Sequence, residues 1–352
     1  MAYIDSKLIG FACSYTPLPL IAAAGFIPYR IFPASDTSDQ AGSFLHDNIC
    51  PHVKKVLDRA LSAKIPQIAG MVFINSCDAM RRLSDAWLIV RPEDRVAVID
   101  LPTTKSESSV NFLEHELSCL ADTLAKWSGQ PITFDKIKNS ILLYRDLFQA
   151  LSDLDRRAYR GTFQSGRSAL QSIYNQSVTL PPEEILSQTR RLLAETETNV
   201  DQSDKVPIYL FGNVMHDPEA FALFDQCGVR ILADDLCTGS RMHVNYNLAF
   251  HDDVLYQLAY DLMRRPACAR TFDSENPGNI ANEILINAKE SGARGVIAHI
   301  IKFCDPYLAR LTYIRETLRA ADIPLLVLEG DCTLRSMGQF RTRIEAFVEM
   351  LR

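Results

Sequence analysis

No two of the nine cysteines in this 352-residue chain stand in a C-x-x-C pair. The count is odd, and a chain of this size does not need disulfide staples, so reduced thiols fit better than a disulfide framework. A G-x-x-x-x-G-K-[ST] loop is also missing, which removes the usual cradle for a nucleotide triphosphate. Apolar runs such as 295–301 and 325–328 are far too short to span a bilayer, and Met1-Ala2-Tyr3-Ile4-Asp5 has no signal-peptide plan. A cytoplasmic protein without membrane contact is expected. The 37 basic and 43 acidic residues leave a formal charge of −6, with no basic block and no Arg/Lys stripe among aromatics, so a nucleic-acid surface has no support. Fifteen glycines and 17 prolines are ordinary for a globular protein, as is the 47% apolar content.

The length argues for more than one core. Over the first hundred residues β-rich runs alternate with helical ones: Leu8 to Ala12, a helix from Pro17 to Ala24, Tyr29 to Phe32, a helix after Cys50, Ile68 to Asn75, a helix after Cys77, then Arg95 to Asp100. Such an order builds a parallel sheet. Between Lys105 and Thr198 amphipathic helical patterns dominate (Val110 to Trp127, Phe134 to Asp155, Glu183 to Glu195), broken by Pro131 and Pro181-Pro182. After the polar segment Asn199 to Lys205 the first pattern resumes, with strands at Pro207 to Phe211, Val229 to Ala233, Gly295 to Phe303 and Pro324 to Glu329. Helices are expected at Pro218 to Cys227, Asp252 to Met263, Asn279 to Ser291, after Cys304 and at the C-terminal end. The expected fold is therefore α/β: an N-terminal α/β domain over 1–104, a helical middle region over 105–204 and a C-terminal α/β domain over 205–352. Each α/β half opens with a strand and a Pro-started helix closed by glycine, Gly25 or Gly228, and each later ends a strand in Cys-Asp, at Cys77-Asp78 and Cys304-Asp305. The repetition points to a duplication or to one design used twice.

A cysteine just past the carboxyl end of a parallel strand, at the start of a helix, sits where open α/β sheets place ligands. The helix N-terminus there favours a thiolate. Cys77 and Cys304 meet this description, and Cys50-Pro51 opens a helix with proline in its first turn. Spacing alone leaves two readings open, thiolate ligands or buried cysteines acting as small hydrophobes. Cys119 and Cys227 on apolar helix faces and Cys268 and Cys332 in loops follow the packing reading, while Cys13 and Cys237 are loop residues near the expected cleft. A zinc site on the same thiolates is chemically possible.

Several runs together resemble one family, the 2-hydroxyglutaryl-CoA dehydratase component D group, which includes the cluster-bearing subunits of benzoyl-CoA reductase. They are Phe11-Ala12-Cys13-Ser14-Tyr15-Thr16-Pro17, Ala24-Gly25 with Pro28, Ile49-Cys50-Pro51, Asn75 to Leu83, Asp100-Leu101-Pro102, Asp234 to Arg241, Lys302 to Pro306, and Gln339 to Phe347, in the family's order over nearly the whole chain. The resemblance implies two Rossmann-like domains with a [4Fe-4S] cluster in the cleft between them, held by Cys50, Cys77 and Cys304. It further implies one subunit of an ATP-primed radical 2-hydroxyacyl-CoA dehydratase, paired with a sister subunit or with itself. A separate ATP-hydrolysing iron–sulfur activator would supply one electron, which makes a ketyl radical at the acyl-CoA thioester carbonyl. Alternatives are a benzoyl-CoA reductase-type or other ATP-coupled reductase subunit acting on small molecules, or, from another class, a non-catalytic electron-transfer or scaffold subunit.

Ser14, Ser240 and Arg241 are the candidates for substrate contact, the arginine as a bidentate partner for a CoA phosphate or the thioester, against the alternative of a glycine turn beside a surface arginine. No residue is singled out as a proton carrier. Many relatives of the group have an acidic residue soon after the proline of the Cys-Ser-Tyr segment, whereas this chain reads Pro17-Leu18-Pro19-Leu20. Asp78 and Asp305 read as helix-dipole compensation, His299 as a core histidine, Lys302 as a strand-end surface residue, and the helix with Arg341-Thr342-Arg343 as packed through Ile344, Phe347, Val348 and Leu351.

Overall fold

A computed structural model describes residues 7–197, 200, 202–247, 253–273, 275–332 and 337–352. The first sheet contains β1 (Leu8–Phe11), β2 (Ile27–Arg30), β3 (Gly70–Asn75) and β4 (Val96–Asp100) in the order β2-β1-β3-β4. The second contains β5 (Val206–Gly212), β6 (Val229–Asp235), β7 (Gly295–Ile301) and β8 (Leu325–Gly330) in the order β6-β5-β7-β8. Every pairing is parallel, and the two orders are the same once strands are counted from the start of each half. The chain thus has the expected α/β architecture, used twice.

Alternation along the strands sorts the helices into layers. Met71 and Phe73 of β3 face α2 (Pro51–Leu61) and α3 (Asp78–Val90), burying Val56, Leu57, Leu83 and Trp87. Val72 and Ile74 face the other way, into a core shared by α1 (Leu18–Ala23), α4 (Glu107–Ser128), α5 (Phe134–Arg160), α6 (Gly166–Gln176), α7 (Pro182–Ala194) and α9 (Val254–Arg264). The helices of the middle region therefore pack on the first sheet, and α9 crosses back from the second half to join them. In the second sheet, Ile208 and Leu210 meet α8 (Pro218–Gln226) and α12 (Met337–Leu351), whereas Tyr209 and Phe211 meet α10 (Asn279–Ser291) and α11 (Asp305–Ala320). Phe340, Ile344, Phe347, Val348 and Leu351 form the buried stripe of α12.

Arg167 on α6 ties this helical layer to the second sheet. Its Nη1 pairs with Asp155 at 2.6 Å and its Nη2 with Asp234 at 2.5 Å, and Tyr159 Oη also reaches Asp234 at 3.2 Å.

Three differences from the sequence pattern have physical causes. The second strand lies at Ile27–Arg30 rather than 29–32, because β2 is an edge strand and an edge tolerates Pro28 opposite Ile9. Helix α5 continues past Asp155 to Arg160 and ends on Gly161, whose φ of +73° closes the helix. Helix α6 carries no clear periodicity, since its first residue is glycine and Ser, Gln and Asn interrupt its apolar face. The expected start of α9 at Asp252 and residues 199 and 201 of the polar segment lie outside the described residues. No helix among the described residues is long and apolar enough to cross a membrane.

Candidate metal centre

Cys50, Cys77 and Cys304 share one local design. Each is the residue that caps a helix at its N-terminus, α2, α3 and α11 respectively, with Pro51 or Pro306 in the first turn of two of them. No side-chain cap hydrogen bond forms at any of the three, but backbone amides of the first turn favour the thiolates: His52 and Val53 for Cys50, Met80 for Cys77 and Tyr307 for Cys304. Phe303, the residue before Cys304, is held at φ +57°, a left-handed backbone that is uncommon outside glycine.

In each sheet the strand order reverses between the first and third strands of its half, which opens a crevice at their carboxyl ends. The two crevices face one cavity of about 100 Å³ lined by Cys13 and Ser14 after β1, Cys77 after β3, Asn213 after β5 and Cys304 after β7. Cys50, Cys237 and Cys268 complete the wall, so six of the nine cysteines converge there, three from each half. Sequence reasoning misses Cys268, because it lies in a loop with no local motif. The duplicated plan holds its signal: Cys268 precedes α10 and β7 as Cys50 precedes α2 and β3. Of the rest, Cys119 is exposed, Cys227 is buried beside α8, and Cys332 is buried against Val214 and Ile301 next to Cys50 and Cys237.

Burial outweighs the helix N-termini in setting thiol acidity. It pushes Cys50 far above the ordinary thiol range, Cys77 up to about 12 and Cys237 up to about 11, and it raises Cys304 as well, with neighbouring thiols adding to the effect. These thiols give up protons only to a partner that returns positive charge, which is how a metal binds. Among the described residues no three His, Cys, Asp or Glu side chains close on a single ion. The sulfurs surround a volume rather than a point. Soft thiolate donors spaced around a volume fit an iron–sulfur cluster, which separates its ligands, better than one tetrahedral ion with bonds of about 2.3 Å.

An outer hollow of about 510 Å³ shares Cys50, Cys77, Arg270 and Cys304 with the inner cavity and adds Phe272, Phe303 and Arg310 toward the surface. That volume lies within the range of small-molecule pockets, about 300–1,000 Å³. Ser14 lines the inner cavity, whereas Ser240 and Arg241 line neither space. The Ser240 hydroxyl donates to Asp234 O, and the Arg241 side chain is 1% exposed and held by Asp235 at 2.6 Å and Tyr307 Oη at 2.7 Å. Asp78 pairs with Arg82 on the surface at 3.4 Å, and Lys302 is exposed. His299 is buried edge-on to Phe340 with Nδ1 unpartnered.

The family model described as 2-hydroxyglutaryl-CoA dehydratase, D-component, matches residues 13–351. Among curated proteins, the (R)-phenyllactyl-CoA dehydratase beta subunit of Clostridium sporogenes is 23% identical, covering 100% of this chain and 93% of its own. The beta subunit of lactoyl-CoA dehydratase from Anaerotignum propionicum is 23% identical over 97% of this chain and 91% of its own. A benzoyl-CoA reductase subunit of Thauera aromatica is 21% identical over 98% and 91%.

Proposed function

Because the chain belongs to the 2-hydroxyglutaryl-CoA dehydratase D-component family, we propose that it is the [4Fe-4S]-bearing subunit of an ATP-primed radical 2-hydroxyacyl-CoA dehydratase, with Cys50, Cys77 and Cys304 as the cluster ligands. The observation that carries this reading is the convergence of those three helix-capping cysteines on one cavity that opens into a pocket of ligand size. When bound, such a cluster supplies a single low-potential electron and a Lewis-acidic iron left open by the three-cysteine ligation.

The chain's own residues do the rest. Three thiolates hold the group, first-turn N–H groups steady their charge, and Asn213 donates to the Cys304 sulfur. Val53, Met80 and Ile301 keep water from the inner cavity, while the outer hollow admits an acyl thioester toward Cys50, Cys77 and Cys304. Ser14 lines the inner cavity, and Ser76 lines both that cavity and the outer hollow; Ser240 and Arg241 act at a distance, by shaping the loop that carries Cys237. The relatives are themselves named as single subunits of larger enzymes, which supports a sister subunit as partner, and a separate iron–sulfur activator would hydrolyse the ATP.

A second reading is favoured by one observation, that Cys13, Cys237 and Cys268 line the same cavity. Six thiols exceed what one four-iron cluster needs, and the surplus fits a larger iron–sulfur group in an ATP-coupled reductase acting on a small molecule. The anaerobically isolated protein separates the two: about four irons per chain supports the dehydratase-type cluster, and about eight supports the larger group. Activity is tested by adding sister subunit, activator, ATP and a panel of 2-hydroxyacyl-CoA thioesters, and following loss of water by mass spectrometry. Turnover with the activator but without a sister subunit would refute a purely electron-relaying role and point to a self-paired enzyme.

A further inference from the structure

Four lysine or arginine side chains are buried among the described residues: Arg30, Lys55, Arg241 and Arg265. Two have the carboxylates that burial of a cation requires, Lys55 with Asp39 and Asp58, and Arg241 with Asp235. The other two have none among the described residues. Arg30, 1% exposed, spends Nη1 on Cys237 O at 2.7 Å and Met242 Sδ at 2.9 Å, and its Nε is unpartnered. Arg265, 3% exposed, donates to Ser14 O and Arg241 O and lies over the Tyr15 ring at 4.6 Å, also with Nε unpartnered. The two cations repel each other and sit on the same side of the cysteine cavity, Arg30 in its wall between Cys13 and Cys237 and Arg265 behind Ser14. Carbonyl dipoles, the Met242 thioether and ring faces, including Phe32 at 5.5 Å from the Arg30 guanidinium, carry no net charge to offset two buried cations, so their counter-charge has to come from what the cavity holds.

We propose that Arg30, backed by Arg265, is the fixed counter-charge of an anionic metal–sulfur group in the cysteine cavity, and that it holds the reduction potential of that group up. The inference rests on the cluster reading above. Its physics is simple: adding an electron makes the group more negative, and a cation in a low-dielectric wall favours the more negative state. Burial, which lowers the proton affinity of the Arg30 guanidinium, agrees with a charge that lacks its partner when the thiols are protonated. Arg30 acts through the ligands and not on substrate, so it is a positioning residue.

The test compares Arg30→Lys, which keeps the charge, with Arg30→Gln, which keeps a donor for Cys237 O and removes the charge. Anaerobically isolated wild type and variants are assayed for iron and sulfide and titrated electrochemically against EPR. The expected result is wild-type iron in both, a potential close to wild type in the lysine variant, and a clearly lower potential in the glutamine variant. Iron present with an unmoved potential in Arg30→Gln overturns the proposal, as does an equal shift in both variants. Loss of iron from Arg30→Lys also overturns it, because the side chain's shape rather than its charge would then matter. If only the glutamine variant loses iron, the charge dependence stands, and faster iron loss to a chelator from Arg30→Gln than from Arg30→Lys is the supporting readout. Wild type without iron would instead sink the cluster reading itself.

Discussion

Asn213 grips the Cys304 side of the cavity with both ends of its amide: Nδ2 donates to Cys304 Sγ at 3.2 Å, and Oδ1 accepts the Ile301 N–H at 3.0 Å. In register it stands where Cys13 stands in the first half, two residues past Phe211 paired with Ala298, as Cys13 is two past Phe11 paired with Val72. One half thus presents a thiol and the other a donor to a thiol. Replacing Asn213 with alanine removes the donor and loosens the end of β7. The expected consequence is iron loss to a chelator about 10- to 100-fold faster than wild type, the usual scale for a lost ligand-supporting partner. An unchanged rate would assign Asn213 to strand packing alone.

The approach of the second pair of strands depends on Gly212. At φ +150° it pairs with His299, and a Cβ there would lie 1.9 Å from the His299 carbonyl oxygen. The neighbour is backbone and cannot rotate away. Gly212→Ala is expected to destabilise the chain by about 3 kcal/mol or more, among the larger effects of single substitutions. Denaturant unfolding measures it, and an unmoved midpoint would contradict the strand register.

Periodicity makes most of this fold legible. Strands buried on both faces, such as β3 and β7, read as nearly continuous apolar runs, and proline and glycine mark helix starts and stops at Pro17, Pro218, Gly25 and Gly228. Cys50, Cys77 and Cys304 stand out because each adjoins a strand-to-helix turn or a Cys-Pro helix start. Cys268, Arg30 and Arg265 do not, since their meaning lies in what surrounds them in space: a shared cavity for the thiol and a missing carboxylate for the two cations. Thiol acidity is illegible for a related reason. A helix N-terminus can be read from sequence, but the depth of burial that outweighs it cannot.

Acid lability follows from four buried histidines, of which His52 is held down to about 3. Burial holds His216, His243 and His299 down to about 4, from an ordinary 6.5. A folded-state value below the unfolded one means that the unfolded chain binds more protons between those limits, so stability is full above about pH 6.5 and is lost as pH falls toward 4. Each such group costs on the order of 2 kcal/mol between pH 7 and pH 5. His299→Leu should therefore lose less stability than wild type over that interval, by about that amount. Equal losses of denaturant midpoint from pH 7 to pH 5 in wild type and in His299→Leu would show that His299 is not held neutral by the fold.

Cys50, Cys77 and Cys304 are the proposed ligands of an iron–sulfur cluster. The most direct test of that assignment is iron and acid-labile sulfide per chain, with EPR after reduction, on anaerobically isolated wild type and on Cys50→Ser, Cys77→Ser and Cys304→Ser, with the exposed Cys119→Ser as control. The prediction is at least about four irons and a matching sulfide in wild type and in Cys119→Ser, falling sharply in each of the other three. A protein that carries zinc or no metal, or one whose iron survives all three substitutions, would contradict the account.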